Sequence, residues 1–220
     1  MGIKKLLVEG HGDEVVVGTL CKSHGMWVKH AKYQDKTRPR ATPFAFECKE
    51  KGSVSQLLDE LSTELDESDL ETMGIVVDAD TDLPGRWRSL SDRLQQYGYN
   101  PLPVAPVAEG TIIRDEGLPI VGIWVMPDNQ LRGMMEDFAA LLIPNGDTLW
   151  PYAQQCVANI APEDRKFSSY HTTKAAIHTW LAWCEKPGTP VGTAINNRYL
   201  DADAPQAIAF ITWIRRLFNV

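Results

Sequence analysis

The 220-residue chain contains no apolar run of the length that crosses a bilayer. Its first residues, Met1-Gly-Ile-Lys-Lys, lack the apolar segment and cleavage site of a secretory signal. Leu6 stands where a myristoylation motif needs serine or threonine. A cytoplasmic protein with no membrane partner is the expectation. Cysteine is scarce. Cys21, Cys48, Cys156 and Cys184 are widely scattered, which points to reduced, structural thiols rather than a disulfide framework. Cys21, His24 and His30 lack a fourth ligand at finger-like spacing, so a zinc finger is set aside. The phosphate-cradling loop Gly-x-x-x-x-Gly-Lys-Ser/Thr is missing too, as are internal repeats, low-complexity tracts and an obvious interdomain linker. Positive charge is short: the net charge of −7 argues mildly against a non-specific nucleic-acid-binding surface. A cluster of metal-binding carboxylates would itself inflate that negative count.

What the chain does have is Gly74-Ile-Val-Val-Asp78-Ala-Asp80-Thr-Asp82. The apolar run reads as a strand buried on both faces. The aspartates then stand at its carboxyl end, where open α/β sheets bind ligands. Alternate side chains of an extended chain share a face, so Asp78, Asp80 and Asp82 are expected to point the same way. Three carboxylates that close repel one another unless a cation sits among them, and a hard divalent ion such as Mg²⁺ prefers oxygen ligands. The plainer alternative is a solvated acidic turn. A second acidic group weighs against it: Ile3-Lys-Lys-Leu-Leu-Val-Glu9 reads as a first strand, and a carboxylate ending a buried strand is costly if unpaired. Parallel neighbouring strands would bring Glu9 to the aspartates.

Along the chain, strands and helices alternate. A helix is expected over 13–22, with Asp13 and Glu14 in its first turn, where they suit the helix dipole. Short apolar pieces at Trp27-Val28 and Phe44-Ala-Phe46 flank a basic patch of Lys29, His30, Lys32, Lys36, Arg38 and Arg40. That patch reads either as a solvated loop or as a phosphate-contacting, nucleic-acid-binding loop beside the acidic site. Ser53 caps an amphipathic helix to Leu65, and a further helix runs from Pro84 to Tyr97, ended by Gly98. Strands follow at Thr111–Ile113 and Ile120–Met126, then a helix over 134–143 with Glu136 and Asp137 in its first turn. Helical patterns then cover 148–160, 172–184 and 204–218. Lys174 sits near the start of its helix, where a cation is disfavoured unless an anion lies close by. This order implies an α/β fold: a mostly parallel sheet flanked by helices over 1–145, with a helical extension over 146–220 packed on it as one unit.

Leu6-Leu-Val-Glu9-Gly-x-x-Asp13, followed by Val77-Asp78-x-Asp80, resembles the TOPRIM signature of topoisomerases, bacterial primases, RecR-like proteins and OLD-type nucleases. In that family a glutamate ends the first strand and an Asp-x-Asp ends a later one. Glu9, Asp13, Asp78 and Asp80 match position by position over roughly the first half of the chain. The second half resembles stand-alone bacterial TOPRIM-like proteins, through Gly133-Met-Met-Glu136-Asp137-Phe and Thr173-Lys174-Ala-Ala. The resemblance implies a TOPRIM-like (Rossmann-like) core. It also implies a site in which Glu9, Asp78 and Asp80 hold Mg²⁺ or Mn²⁺, with Asp82, Glu136 and Asp137 as further ligands. Glu9, Asp13 and Lys174 would be the catalytic groups.

The expected activity is that of a metal-dependent nuclease on DNA or RNA, a phosphodiester hydrolase of defence or repair. Because the chain has no ATPase motif, any ATP-driven step falls to a separately encoded ATPase partner. A non-catalytic TOPRIM interaction module is the alternative, and a metal-dependent phosphohydrolase or nucleotidyltransferase a weaker one. One metal or two, and a monomer or a homo-oligomer, fit equally.

Overall fold

A computed structural model describes residues 2–30 and 36–220. Its described residues build a six-stranded sheet in the order β2-β3-β1-β4-β6-β5. In chain order the strands are β1 (Ile3–Val8), β2 (Val28–His30), β3 (Phe46–Glu50), β4 (Leu70–Asp78), β5 (Thr111–Ile113) and β6 (Ile120–Met126). All neighbouring pairs are parallel except β5 with β6. The helices are α1 (His11–Ser23), α2 (Val54–Leu65), α3 (Leu83–Tyr97), α4 (Met135–Ala140), α5 (Leu149–Ala158), α6 (Thr172–Leu181), α7 (Val191–Asn196) and α8 (Pro205–Phe218). The architecture is the expected α/β one, with C-terminal helices.

Alternation along the central strands sorts the core into two layers. Leu7, Ile75, Val77, Ile123 and Val125 point to one face, where α2 and α3 supply Leu57, Leu61, Leu65, Trp87, Leu90 and Leu94. Leu6, Val8, Val76, Trp124 and Met126 point to the other, against α1 and the C-terminal helices. There α8 lies so close that Leu217 fills the space a side chain at Gly122 would take: a β-carbon built on Gly122 falls 2.4 Å from Leu217 Cδ2. The helices after residue 146 therefore share one hydrophobic cluster with the sheet and with α1. Cys21 and Cys48 are free and buried in that cluster.

The other layer holds a buried charge network. Lys5, Lys49 and Lys51 all reach the carboxylate of Glu64 on α2, at 2.6, 2.5 and 2.9 Å. Burial pushes the Glu64 carboxyl up, but the hydrogen bonds from Lys49, Lys5 and Lys51 outweigh it and hold the group at about 2.

Because β1, β4 and β6 run parallel and adjacent, their carboxyl ends open on one edge of the sheet. The loops into α1, α3 and α4 leave from that edge. Among the described residues no helix is long and apolar enough to cross a membrane.

Candidate metal and phosphate site

Register brings the first two acidic groups together. Val8 lies opposite Val76, so Glu9, just after β1, falls one position short of the Asp78 that ends β4. The Asp78 backbone N–H donates to Glu9 Oε1 at 2.8 Å. Asp13, in the first turn of α1, accepts from the Gly10 N–H at 2.9 Å, closing the helix start and holding its other oxygen near the pocket. Glu136, in the first turn of α4, forms an ion pair with Lys174 at 2.7 Å. Lys174 thus has its anion at the start of α6, which resolves the apparent conflict with the helix dipole.

These groups sense one another. Burial pushes the Asp78 carboxyl up to about 9, with Asp13, Glu9, Glu136 and Asp80 each adding to the push. Burial also raises Glu9, against the pull of the Asp78 N–H and Arg86 and with the help of Asp13 and Asp80. It raises Asp13 too, where the Gly10 N–H and Lys174 pull down and Glu136 pushes up. Asp78 therefore lies within electrostatic reach of four other carboxylates at the carboxyl edge of the sheet.

The chain does not stay extended through the aspartates. Asp80 has φ +54°, in the left-handed region. Its backbone makes a two-way bridge with Gly133, each N–H donating to the other's carbonyl at 2.8 Å. This clips the loop after β4 to the loop after β6. The Asp80 carboxylate accepts from the Tyr170 hydroxyl and from Arg86, whose Nε also donates to the Asp78 carbonyl at 2.7 Å. Asp82 does not share the pocket face. It is exposed and caps α3, accepting from the Gly85 N–H at 3.0 Å. Asp137 caps α4 in the same way, accepting from the Met134 N–H at 2.8 Å, while its side chain also lines the neighbouring cleft.

That cleft, about 360 Å³, is lined by Asp80, Arg132, Gly133, Asp137, Tyr170 and Thr173 among others. A more apolar cleft of about 540 Å³ shares Arg132, Asp137 and Thr173 with it and extends to Leu131, Leu141 and Trp150. Arg132 is exposed and makes no ion pair among the described residues. Burial and its bond to Asp80 raise the Tyr170 hydroxyl well above the usual phenol range, so it acts as a donor. Arg86, Arg132 and Tyr170 were not singled out by sequence. Arg86 carries the same signal as Lys174, a cation in a first helical turn, whereas Tyr170 arrives from a loop 90 residues beyond Asp80.

Of the basic patch, His30 reaches the acidic start of α1, where it bonds Glu14 at 3.2 Å. Lys22, near the C-terminal end of α1, donates to Thr37 at 2.8 Å. The helix between Lys22 and Asp13 is about 14 Å long. Arg38 is turned inward, onto the Thr42 carbonyl and over the Phe44 ring at 4.1 Å. Lys29 pairs with Glu47 at 2.9 Å, and Lys36 and Arg40 are exposed. Lys32 lies outside the described residues.

A second group stands near the acidic pocket. Among the described residues, His11, Glu14 and Glu50 are the three that bring metal-ligating atoms within 4.8 Å of one another. The carboxylates around Asp78 stand farther apart, with Asp80 engaged by Tyr170 and Arg86.

Comparison with known proteins returned no match among curated proteins and none among solved structures. One family profile, described as protein of unknown function (DUF3226), matches residues 3–219. With that match running over almost its whole length, the chain belongs to the DUF3226 family.

Proposed function

We propose that the chain is a nuclease of the TOPRIM type, a phosphodiester hydrolase that uses Mg²⁺ or Mn²⁺ on DNA or RNA. The observation that carries this reading is the approach of Glu9 and Asp78 at the ends of neighbouring strands, within electrostatic reach of Asp13, Asp80 and Glu136, with Arg86 and Lys174 as the cations that oppose them. Like charges that raise one another in this way are stabilised by a divalent cation, and a set of oxygen donors alone suits Mg²⁺ or Mn²⁺. The TOPRIM resemblance supports the same residues, since its glutamate and its Asp-x-Asp here end neighbouring strands.

Glu9, Asp78 and Glu136 would hold the ion, with Asp80 joining once Arg86 or Tyr170 releases it. When bound there, the ion supplies charge neutralisation at the phosphoryl oxygen and a water of lowered pKa. The remaining roles belong to the chain. Lys174, held by Glu136, offers positive charge to the negative charge that develops on the phosphate. Tyr170 donates from the cleft wall and orients Asp80. Arg132, which lines both clefts and makes no ion pair among the described residues, would bind a flanking phosphate. An ATP-driven step would fall to a separately encoded ATPase.

The test is a panel of supercoiled plasmid, single-stranded DNA and structured RNA, incubated with Mg²⁺ or Mn²⁺ and with EDTA, using wild type and Asp80→Ala. Asp80 is 44 % exposed, so the variant is expected to fold. Cleavage that needs both metal and Asp80 is the expected result and names the substrate. Cleavage unchanged in Asp80→Ala overturns the assignment. No cleavage of any substrate, with no Mn²⁺ bound, turns the reading to an interaction module.

A further inference from the structure

We propose that His11, Glu14 and Glu50 form a second metal site, for a four-coordinate transition ion of the zinc type. The site is separate from the acidic pocket and does not depend on the nuclease reading.

Glu14 is the starting point. Its carboxylate is fully buried, at 0 % exposure. A buried carboxylate needs a strong positive partner. The other buried glutamate of this chain, Glu64, has three lysines. Among the described residues Glu14 has none: its partners there are imidazoles, His11 Nδ1 at 3.3 Å from one oxygen and His30 Nδ1 at 3.2 Å from the other. Glu50 adds a second carboxylate rather than a cation, with Oε2 at 3.5 Å from the same His11 nitrogen.

The distances fit an ion site. Charge-assisted N–H···O pairs usually close to about 2.7–2.9 Å, shorter than either His11 separation. Ligand atoms about 2.1 Å from a tetrahedral ion, however, are about 3.4 Å apart. The His11–Glu14 and His11–Glu50 separations fall on either side of that value. One nitrogen and two oxygens is a donor set that zinc accepts, and the 62 % exposure of His11 leaves the outer side open for a fourth ligand.

The surroundings are built for this role. His30 bonds the oxygen of Glu14 that faces away from His11, as outer-shell groups orient ligating carboxylates. Its ring fits only because residue 18 is glycine, where an added β-carbon would fall 2.5 Å from His30 Cε1. Glu50 comes from the end of β3, next to β1 in the sheet, and His11 opens α1 directly after Glu9 and Gly10. The two sites therefore share the loop after β1.

The experiment is titration of the full-length protein with Zn²⁺ by calorimetry and with Co²⁺ by visible absorption, which reads a four-coordinate site. His11→Ala and Glu50→Gln are compared with Asp80→Ala. Both altered side chains lie outside the core, and circular dichroism checks the fold of each variant. The expected result is Zn²⁺ binding with a visible Co²⁺ band in the wild type and in Asp80→Ala. In His11→Ala affinity should fall by more than the roughly 10–100-fold that outer-shell changes cause, with loss of the band. Wild-type affinity in His11→Ala and Glu50→Gln, or no Zn²⁺ binding by the wild type, overturns the proposal. Loss of binding in Asp80→Ala but not in His11→Ala assigns the ion to the acidic pocket and overturns it as well.

Discussion

The Asp78 backbone N–H donates to Glu9 Oε1 at 2.8 Å, so the side chain that ends one central strand is held by the main chain that ends its neighbour. Glu9 therefore has two roles that substitution separates. An amide oxygen accepts the same hydrogen bond, whereas alanine leaves a partly buried N–H without a partner. Glu9→Gln should fold with wild-type stability yet lose metal-dependent cleavage. Glu9→Ala should lose cleavage and also about 1–3 kcal/mol of stability, the cost of an unsatisfied buried donor. Urea denaturation beside the cleavage assay checks both, and full activity in Glu9→Gln would remove its carboxylate from the metal ligands.

Asp78 makes the ion-free protein sensitive to alkali. Its carboxyl is raised to about 9 by burial and by Asp13, Glu9, Glu136 and Asp80. The unfolded chain releases that proton near pH 4. Between about pH 4 and pH 9 the folded state thus binds more protons than the unfolded one, and stability falls as pH rises. Without divalent ions the melting temperature should decline across this window, and Asp78→Asn should flatten the decline and stabilise the protein at pH 8. Mn²⁺ should raise the melting temperature of the wild type at pH 8 but not that of the variant. An equal Mn²⁺ shift in both proteins would show that Asp78 does not bind the ion.

The pairing of Glu9 with Asp78 was legible because it rests on two local patterns, a buried strand ending in an acid, repeated in Leu6-Leu-Val-Glu9 and Ile75-Val-Val-Asp78. Parallel register does the rest. The alternation that placed Asp80 and Asp82 on the same face failed at one residue. Asp80 turns left-handed to bridge Gly133, a partner 53 positions away that no local rule anticipates. Asp82 was readable as a cap, since an aspartate before Leu83-Pro-Gly is a helix start. The basic patch spans more than one place: His30, ending the outermost strand β2, bonds Glu14 at the start of α1, whereas Thr37 is held by Lys22 toward the other end of that helix.

Glu64 acts in the opposite direction and in a different window. Hydrogen bonds from Lys49, Lys5 and Lys51 outweigh burial and hold its carboxyl at about 2, below its ordinary 4.5. Its contribution is fully present above pH 4.5 and is lost as pH falls toward 2. Glu64→Gln leaves Lys5 and Lys51, each 5 % exposed, with only the more exposed carboxylates of Glu67 and Glu60. The variant should be less stable than wild type at pH 7, by less than the roughly 3–5 kcal/mol that a wholly unpaired buried charge costs. The gap should narrow on acidification, because only the wild type loses this interaction. A constant gap between pH 7 and pH 3 would mean that packing, not charge, accounts for the loss.

Arg132 and Arg40 decide where a nucleic acid would run. Arg132 lines the cleft that begins at Asp80 and makes no ion pair among the described residues, whereas Arg40 belongs to the basic segment that Lys22 joins at Thr37, toward the other end of α1. A phosphate contact contributes to binding at every sequence and adds to the salt dependence. Arg132→Ala should therefore weaken binding uniformly across sequences and reduce the slope of log affinity against log salt by about one, while Arg40→Ala leaves both unchanged. Fluorescence anisotropy with catalytically inactive Asp80→Ala as the background, at several salt concentrations, reads the slope directly. A loss of slope in Arg40→Ala with none in Arg132→Ala would route the phosphate backbone along the far end of α1. The substrate would then have to run from Lys22 to Asp13, about 14 Å of α1, before reaching the carboxylates, which favours a long duplex over a short single strand.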